Sequence, residues 1–291
     1  MIECVANFSE GRHAGMIREI AIAIGSAEGV AILGWDADGD HHRSVVTFAG
    51  PADAVCEGAV RGVGAAVERI DLSQHIGVHP RVGAADVVPF VPLEGSTLEQ
   101  CVDVAQRAGE AIWERFRVPV YFYEAAARMA SRKRLERVRK PGLDGLPPDI
   151  GDVAEHPTAG AVMVGARNFL IAYNINLTTP DAAIAKQIAA KIRESSGGFR
   201  FVKAMGLHLP SQDRAQVSMN LTNFAAIPFD DLYTTVQAEA ARLGTAIAES
   251  ELIGFIPRAA FEQSPDFFRR VRGFDESRII ETRIGQLLQS N

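Results

Sequence analysis

The sequence predicts an α/β (α+β) protein made of two ferredoxin-like βαββαβ subdomains, each with a mixed or antiparallel sheet and helices on its outer face. Three observations favour this fold class. The chain has 291 residues, which exceeds the usual size of one domain. Strand-like alternation and helix-like spacing of apolar residues follow one another in the order β-α-β-β-α-β. The same order then recurs in the second half of the chain.

The first copy of the pattern begins at the N-terminus. Its predicted elements are a strand over 2–8, a helix over 12–27, strands over 30–35 and 44–49, a helix over 51–70 and a strand over 86–91. Pro51 suits the first position of the second helix, because a proline there loses no helical hydrogen bond. This order predicts an antiparallel sheet with both helices on one face.

An insertion separates the two copies. It consists of a helix over 97–116, which a Ser96/Glu99 capping box opens, a strand over 118–123, a helix over 124–138 and a Gly/Pro-rich loop over 141–160. The second copy has a strand over 161–176, a helix over 180–195, strands over 199–209 and 215–224, a helix over 229–247 and a strand over 251–256.

These elements divide the chain into an N-terminal subdomain, 1–177, which carries the inserted segment 97–160, and a C-terminal subdomain, 178–291. Each sheet keeps one face without helices, and that face must be covered in an apolar chain of two lobes. We therefore expect the two free faces to meet and to leave a cleft between the lobes, which is a common place for a ligand.

Composition excludes several classes of protein. No apolar run reaches the ~18 residues that cross a bilayer, and the first residues lack the basic and apolar segments of a signal peptide. We expect a soluble, cytoplasmic protein with no membrane partner. The three cysteines lie far apart without a CxxC pair, which favours reduced thiols. A net charge of -6 disfavours nucleic acid as a partner. The basic run 128–140 is either a solvated helix face or an anchor for an anionic tail.

Three polar loops are the candidate site. In a β-α-β-β-α-β unit the first strand ends, the hairpin between strands two and three turns, and the last strand begins at the same edge of the sheet. The loops at that edge are 7–11, 36–43 and 75–83, and together they hold histidine, aspartate and arginine side chains.

His79 is the best-placed candidate for proton transfer, because it lies in a loop restrained by glycine and proline and next to Arg81. A hydrogen-bonded structural histidine is the alternative. Asp36 either orients that imidazole or caps a turn. Arg43 and Arg81 either bind a carboxylate or are solvated at the surface.

The sequence disfavours a metal site. Asp36-x-Asp38-x-Asp40 resembles the start of a calcium-binding loop, but the sixth position is His41 instead of glycine and the twelfth is Thr47 instead of glutamate. No HExxH motif is present for zinc, and the phosphate-binding and serine-hydrolase motifs are absent as well. We therefore predict no metal.

The same loops carry a resemblance to a known family. Six stretches are similar to the formiminotransferase domain of glutamate formiminotransferases, which in animals is the front part of formimidoyltransferase-cyclodeaminase. They are ECVANFSEG at 3–11, RSVVTFAGP at 43–51, HPRVGAADVVPFVP at 79–92, PVYFYEAAARMASR at 119–132, GARNFLIAYNINL at 165–177 and AQVSMNLTNF at 215–224. The stretches span most of the chain.

The resemblance implies roles for individual residues. The family's catalytic histidine falls on His79 and its acidic partner on Asp36. Its folate-binding loop falls on 151–160. The candidate folate contacts within that loop are Gly151, Asp152, His156, Pro157, Thr158 and Gly160. Arg167 and Asn174 are candidate contacts by position. The family often has lysine where this chain has Asn168, and the loop here is more acidic than the animal form.

The resemblance also implies a reaction, in which the formimino group of N-formimino-L-glutamate moves to tetrahydrofolate as co-substrate. It further implies a homodimer, two subdomains around a folate tunnel, and a separate cyclodeaminase that processes the product. Two alternatives stay open at this point. One is formyl transfer involving N-formylglutamate or 5-formyltetrahydrofolate, and the other is a folate-binding protein without turnover.

Overall fold

A computed structural model describes residues 1–76, 81–138 and 146–289. The chain divides into two compact units, Met1–Asn168 and Phe169–Asn291, and each unit has its own sheet of a mixed α/β fold, as predicted. The division falls earlier than the predicted boundary after residue 177, because the strand before that position pairs within the second sheet. The predicted tunnel is not a feature of either unit alone and stays a prediction.

The first unit contains a six-stranded sheet. Its elements are β1 (Ile2–Phe8), α1 (Ala14–Gly25), β2 (Ala31–Asp38), β3 (Arg43–Gly50), α2 (Ala52–Arg69), β4 (Ala85–Pro92), α3 (Leu98–Phe116), β5 (Val120–Glu124), α4 (Leu135–Val138) and β6 (Val162–Ala166). The strand order is β2-β3-β1-β4-β6-β5. The first four strands pair antiparallel in the split βαβ order, and β6 and β5 extend the sheet in parallel with β4.

One face of this sheet packs against α1, α2 and α3. Alternate residues of β1, from Ile2 to Phe8, enter the apolar core under these helices, so Asn7 lies on the helix-free face. The helix α3 begins one residue later than predicted: Thr97 and Gln100 form the capping box. The hydroxyl of Ser96, the predicted cap, instead accepts a hydrogen bond of 2.9 Å from the N-terminal ammonium.

The predicted helix over 124–138 is wrong for most of its length. Only a short 3-10 turn at Ala130–Arg132 and the helix α4 form there. The guanidinium of Arg132 is buried and lies 2.6 Å from the carboxylate of Asp149, and it also donates to the carbonyl of Pro147. This ion pair holds the segment against residues 147–149, and such a tertiary contact outweighs the weak helix propensity of one segment.

The second unit contains a four-stranded antiparallel sheet in the order β10-β7-β9-β8. Its elements are β7 (Ile171–Leu177), α5 (Ala182–Ile192), β8 (Val202–Leu209), β9 (Arg214–Leu221), α6 (Phe229–Arg242), β10 (Ile247–Ile253), α7 (Arg258–Gln263), α8 (Pro265–Arg269) and α9 (Ile280–Gln289). The predicted single strand over 161–176 is therefore two strands, β6 and β7, in different sheets.

An aromatic cluster lies in the core of the second unit. The ring of Phe267 stacks on Tyr173 with centroids 4.3 Å apart and contacts Phe229 at 4.9 Å. The helix α8 therefore brings a C-terminal segment, for which no element was predicted, into the core. Within the described ranges, no helix combines the length and apolar character needed to span a bilayer. All three cysteines are free and buried.

We predict that Gly206→Ala destabilises the second unit. A Cβ at this position of β8 would lie 2.2 Å from the backbone nitrogen of Lys186 in α5, so the helix must move away from the sheet. Overpacking of this kind costs about 1–3 kcal/mol. Urea denaturation measures the change in the free energy of unfolding.

The matched control is Gly15→Ala in α1, because no other described atom lies within 4 Å of the added Cβ. That variant should be neutral, or more stable by up to about 1 kcal/mol, since alanine favours helix over glycine. Equal unfolding midpoints for Gly206→Ala and the wild type would contradict the close packing of β8 on α5.

Candidate functional site

The described parts of the three predicted loops meet at one edge of the first sheet. Phe8, at the end of β1, pairs with Ser44 of β3 on one side and with Ala85 of β4 on the other. The amide of Ser9 donates to the carbonyl of Ala84 at 2.8 Å, and its hydroxyl donates to the carbonyl of Gly83 at 2.7 Å. The ends of β1 and β4 and the β2–β3 hairpin therefore form one local site.

His79, the predicted catalytic histidine, lies outside the described residues, which stop at Ile76 and resume at Arg81. Both flanks of this gap belong to the site. The guanidinium of Arg81 donates to the carbonyl of His75 at 3.2 Å. The catalytic role of His79 therefore stays a prediction.

The two predicted arginines line one narrow crevice. It is lined by Ser9, His41, His42, Arg43, Arg81 and Asp86. No water-sized sphere fits inside it, so a ligand group requires its side chains to part. Two guanidinium groups beside a single carboxylate make the crevice suited to an anion.

Asn7 orients the first of these arginines. The Nε of Arg43 donates to the side-chain oxygen of Asn7 at 2.9 Å, and its Nη2 donates to the same oxygen. Burial lowers the pKa of Arg81, while the carboxylate of Asp86 acts in the opposite direction. Asp86 is itself fixed by the amide of Val82, which donates to it at 2.8 Å.

Asp36 lies on the helix-free face of the sheet, near Arg43. In the strand register, Asp36 of β2 pairs with Val45 of β3, and Val45 pairs with Asn7 of β1. Directly paired residues of neighbouring strands point to the same face. Since Arg43 binds Asn7, the half-buried Asp36 shares a face with the predicted carboxylate clamp.

A second group of side chains in these loops was not singled out from the sequence. Glu10 is buried, and its Oε1 accepts hydrogen bonds from the amides of Arg12 and His13 at 2.7 and 3.0 Å. Burial acts to raise the pKa of Glu10, but these hydrogen bonds outweigh it and lower the pKa. The carboxylate is therefore ionised, and it lies 3.6 Å from the Nδ1 of His42.

His42 is held in one tautomer. Its backbone is in the left-handed region, with φ of 50°, and its Nδ1 accepts the amide proton of Gly11 at 3.2 Å. Because Nδ1 is an acceptor, the ring proton of the neutral imidazole is on Nε2. The ring also stacks on His75 with centroids 3.9 Å apart. His42 therefore lines the crevice as a ring whose neutral form carries its proton on Nε2.

The histidines of this site favour the neutral form. Burial lowers the pKa of His41 and that of His42. Burial, with the positive charge of Arg81 and the neighbouring His42, lowers the pKa of His75 from 6.5 to about 4. Near pH 7 these rings are neutral beside the charged arginines. The only feature of the sequence that could have pointed to this histidine cluster is the adjacent pair His41 and His42. Such a pair indicates no role by itself.

The predicted folate loop lies along the segment that follows Arg81. The amide of Ala84 donates to the carbonyl of Ala159, and the amide of Ala161 donates to the carbonyl of Val82, both at 2.9 Å. Gly151 and Gly160 have φ of 118° and 65°, which favours glycine at both ends of the loop. The end of this loop and the segment 82–84 are therefore neighbours at one edge of the sheet.

The remaining loop residues have separate environments. The Nδ1 of His156 accepts the amides of Thr158 and Ala159, which closes a turn inside the loop. Asp152, His156 and Pro157 border a second pocket of about 430 Å³, which also involves Trp113 and Arg117. The end of α3 thus contributes side chains that sequence reasoning missed. The guanidinium of Arg117 lies 5.2 Å from the indole ring of Trp113.

Two predicted site residues lie outside these loops. Arg167 follows the end of β6, at the opposite edge of the sheet from the loops, where its amide donates to the carbonyl of Phe90. Asn174 belongs to β7 of the second unit. Among the described residues, no group of three or more His, Cys, Asp or Glu side chains is arranged to hold a metal ion.

We predict that His75 titrates near pH 4 in the folded protein and that Arg81→Gln raises its pKa, because the variant removes a positive charge beside the ring. Imidazole ¹H–¹³C NMR signals followed from pH 3.5 to 8 measure both values, and His75→Asn assigns the signal. A folded-state pKa of His75 near 6.5 would overturn the burial and the arginine contact described above.

The chain matches known proteins over both units. The family model described as the formiminotransferase domain, N-terminal subdomain, matches residues 1–167, and the model described as the formiminotransferase domain matches residues 172–287. The resemblance read from the six sequence stretches is therefore confirmed.

Curated relatives agree with this match. A glutamate formimidoyltransferase of Thermoplasma acidophilum is 40% identical over 98% of this chain and 97% of its own length. One from Streptococcus pyogenes serotype M1 is 38% identical over 94% of this chain and 95% of its own length. The formimidoyltransferase-cyclodeaminase of Gallus gallus is 39% identical over 92% of this chain but 52% of its own length. The chain belongs to the formiminotransferase domain family of transferase enzymes.

Proposed function

We propose that this enzyme transfers the formimino group of N-formimino-L-glutamate to N5 of tetrahydrofolate, giving 5-formiminotetrahydrofolate and L-glutamate. The observation that carries the proposal is the match to two relatives named glutamate formimidoyltransferase over nearly the whole of each chain. The family implies tetrahydrofolate as the co-substrate.

The crevice of the first unit supports a dicarboxylate as the other substrate. Arg43 and Arg81 both line it, and arginine is the side chain best suited to hold a carboxylate through two parallel hydrogen bonds. His42 lines the same crevice. Holding a glutamate carboxylate here fixes the position of the formimino carbon on the attached nitrogen.

In the proposed reaction, N5 of tetrahydrofolate attacks the formimino carbon, and the bond between that carbon and the glutamate nitrogen then breaks. His79 takes the proton from N5 and returns it to the departing glutamate nitrogen, a role worth about 10²–10⁴ in rate. Asp36 stabilises the imidazolium that forms between these steps. No covalent intermediate with the enzyme is needed.

The folate loop supports the position of the second substrate. Its last residues hydrogen-bond to the segment that begins at Arg81, so a folate held by this loop lies next to the crevice. We propose contacts from Gly151, Asp152, His156, Pro157, Thr158 and Gly160. Asn174 of the second unit is proposed as a contact too. Arg167 lies at the far sheet edge, so it can contact only a part of the folate remote from the reacting nitrogen.

Three further expectations remain proposals. We infer cytoplasmic location and a homodimer from family membership. A cyclodeaminase is the expected consumer of the product, because in the animal relatives the matching part spans only about half of a protein named formimidoyltransferase-cyclodeaminase. In the Thermoplasma acidophilum relative, it spans nearly the whole protein.

We predict that the purified protein makes 5-formiminotetrahydrofolate from tetrahydrofolate and formiminoglutamate, and that His79→Ala lowers kcat by about 10²–10⁴. Mass spectrometry of the folate products measures the transfer. His208→Ala is the matched control, because that half-exposed histidine of β8 lies in the second unit.

Parallel reactions with N-formylglutamate and with 5-formyltetrahydrofolate plus glutamate test the formyl alternative. Transfer of only a formyl group would replace the proposed donor. Folate binding without any product would instead favour a binding protein, and full turnover by His79→Ala would remove His79 from the mechanism.

We predict that Arg81→Gln raises KM for formiminoglutamate by about 10- to 100-fold, because it removes one charged hydrogen bond of about 1.5–3 kcal/mol to the substrate carboxylate. Steady-state kinetics at saturating tetrahydrofolate measure KM, and the KM for tetrahydrofolate should change much less. Arg18→Gln, at an exposed position of α1, is the control. An equal rise in both KM values would contradict a role in holding glutamate.

A further inference from the structure

Asp86 reaches the crevice of the first unit at a break in the register of β4. Asn7 of β1 pairs with Val87, but the next residue of β1, Phe8, pairs with Ala85. Asp86 therefore has no directly paired residue on β1. A β-bulge of this kind inserts one extra residue into a strand, and such bulges often redirect a side chain next to an active site.

The bulge keeps the carboxylate of Asp86 out of the apolar core. Val88 and Phe90 enter the core under the helices, and in an unbroken strand Asp86 would point to the same face, because alternate residues share a face. Ala85 lies in that core instead, and Asp86 lines the crevice. The break in register therefore places a charged side chain at the crevice.

The carboxylate of Asp86 is buried and fixed. The residue is 1% exposed, and its Oδ1 accepts a hydrogen bond of 2.8 Å from the amide of Val82. Its charge acts to raise the pKa of Arg81, so the two side chains lie within electrostatic range of each other. The crevice thus combines one fixed negative charge with the guanidinium groups of Arg43 and Arg81.

Two other carboxylates of these loops have different surroundings. Glu10 accepts the amides of Arg12 and His13 with its Oε1, and its Oε2 lies 3.0 Å from the Nδ1 of His13. Asp36 lies on the helix-free face of the sheet and does not line the crevice. Within the described ranges, Asp86 is therefore the carboxylate that a group in the crevice meets.

The proposed donor substrate carries charges of both signs on one carbon atom. In N-formimino-L-glutamate, the α-carboxylate and the nitrogen that bears the formimino group are attached to the same Cα. The formimino group is an amidine, and amidines are strong bases that are protonated near neutral pH. A crevice that combines guanidinium groups with one carboxylate is complementary to such a pair of charges.

We propose that Asp86 selects a formimino donor over a formyl donor by accepting hydrogen bonds from the amidinium N–H groups, while Arg43 and Arg81 hold the carboxylate. A planar amidinium presents two N–H groups to a carboxylate, as the guanidinium of arginine does. A carboxylate has about four lone-pair sites, so these contacts add to those that Asp86 makes within the protein. The inference rests on the proposed function and assigns the residue that recognises its donor.

The formyl analogue differs from the donor at the atoms that Asp86 contacts. N-formyl-L-glutamate has a carbonyl oxygen in place of the terminal NH₂ group of the amidinium, and it carries no positive charge there. That oxygen would face the carboxylate of Asp86 with no proton between them. Specificity therefore comes from a repulsive contact with the wrong donor as well as from an attractive contact with the right one.

Equilibrium binding of the two glutamate derivatives tests the proposal. Calorimetry without folate measures the affinities for N-formimino-L-glutamate and N-formyl-L-glutamate. Wild-type protein should bind the formimino compound about 10- to 100-fold more tightly, and Asp86→Asn should bind the two alike. Arg81→Gln should weaken both compounds by a similar factor, because both have the carboxylate. Asp103→Asn, at an exposed position of α3, is the control and should keep the wild-type affinities.

Asp36→Asn distinguishes Asp86 from the other nearby aspartate. Since Asp36 is proposed to stabilise the imidazolium of His79, this variant should lower turnover but keep the binding preference for the formimino compound. A preference that is lost in Asp36→Asn and kept in Asp86→Asn would place the recognition on Asp36 and overturn the proposal.

The remaining outcomes separate this inference from the proposed function. Equal affinities of the wild type for the two compounds overturn the inference alone. The full preference in folded Asp86→Asn, even with both affinities reduced, shows a structural role only and overturns it too. Wild-type protein that binds neither compound overturns the proposed donor itself. If Asp86→Asn does not fold, Asp86→Glu keeps the charge but moves it by one methylene, and an unchanged preference in that variant overturns the inference.

Discussion

The close contact of two backbone segments fixes the candidate site of the first unit. A Cβ on Gly83 would lie 1.9 Å from the carbonyl oxygen of Ala161, and a Cβ on Gly160 would lie 2.2 Å from that of Val82. No side chain fits at either position, and hydrogen bonds join the segments on both sides of the contact. The segment that leads out of the His79 loop and the end of the folate loop therefore keep one relative position.

Charge in the crevice depends on the same loops. Two arginines line it, and burial keeps the neighbouring histidines from adding further positive charge near pH 7. The neutral histidines make the folded protein less stable at acid pH. As the pH falls below 6.5, these histidines bind protons in the unfolded chain but not in the folded chain. For His75, this difference persists down to about pH 4, which is its pKa in the folded protein. Stability therefore falls over this range.

Much of the fold follows from local pattern, whereas the errors follow from tertiary contacts. Alternation located β1 and β3, and helical spacing located α1 and α2, because each buries one face. The segment 124–138 has helical spacing too, but the ion pair of Arg132 with Asp149 decides its conformation. The sequence did not separate β6 from β7, because both have strand-forming residues and only the pairing in the structure assigns them to different sheets.

The site shows the same division between what sequence reveals and what it does not. Topology alone predicted the meeting of the loops that hold Asp36, Arg43 and Arg81, because strand direction determines which loops share an edge. The tautomer of His42 was not predictable, since it depends on an amide donated by Gly11 from another loop. Glu251 and Asn174 likewise become a pair only through the register of β10 on β7. The face to which a residue of a strand points can be predicted from alternation, whereas the side chain that it meets on the next strand depends on the register.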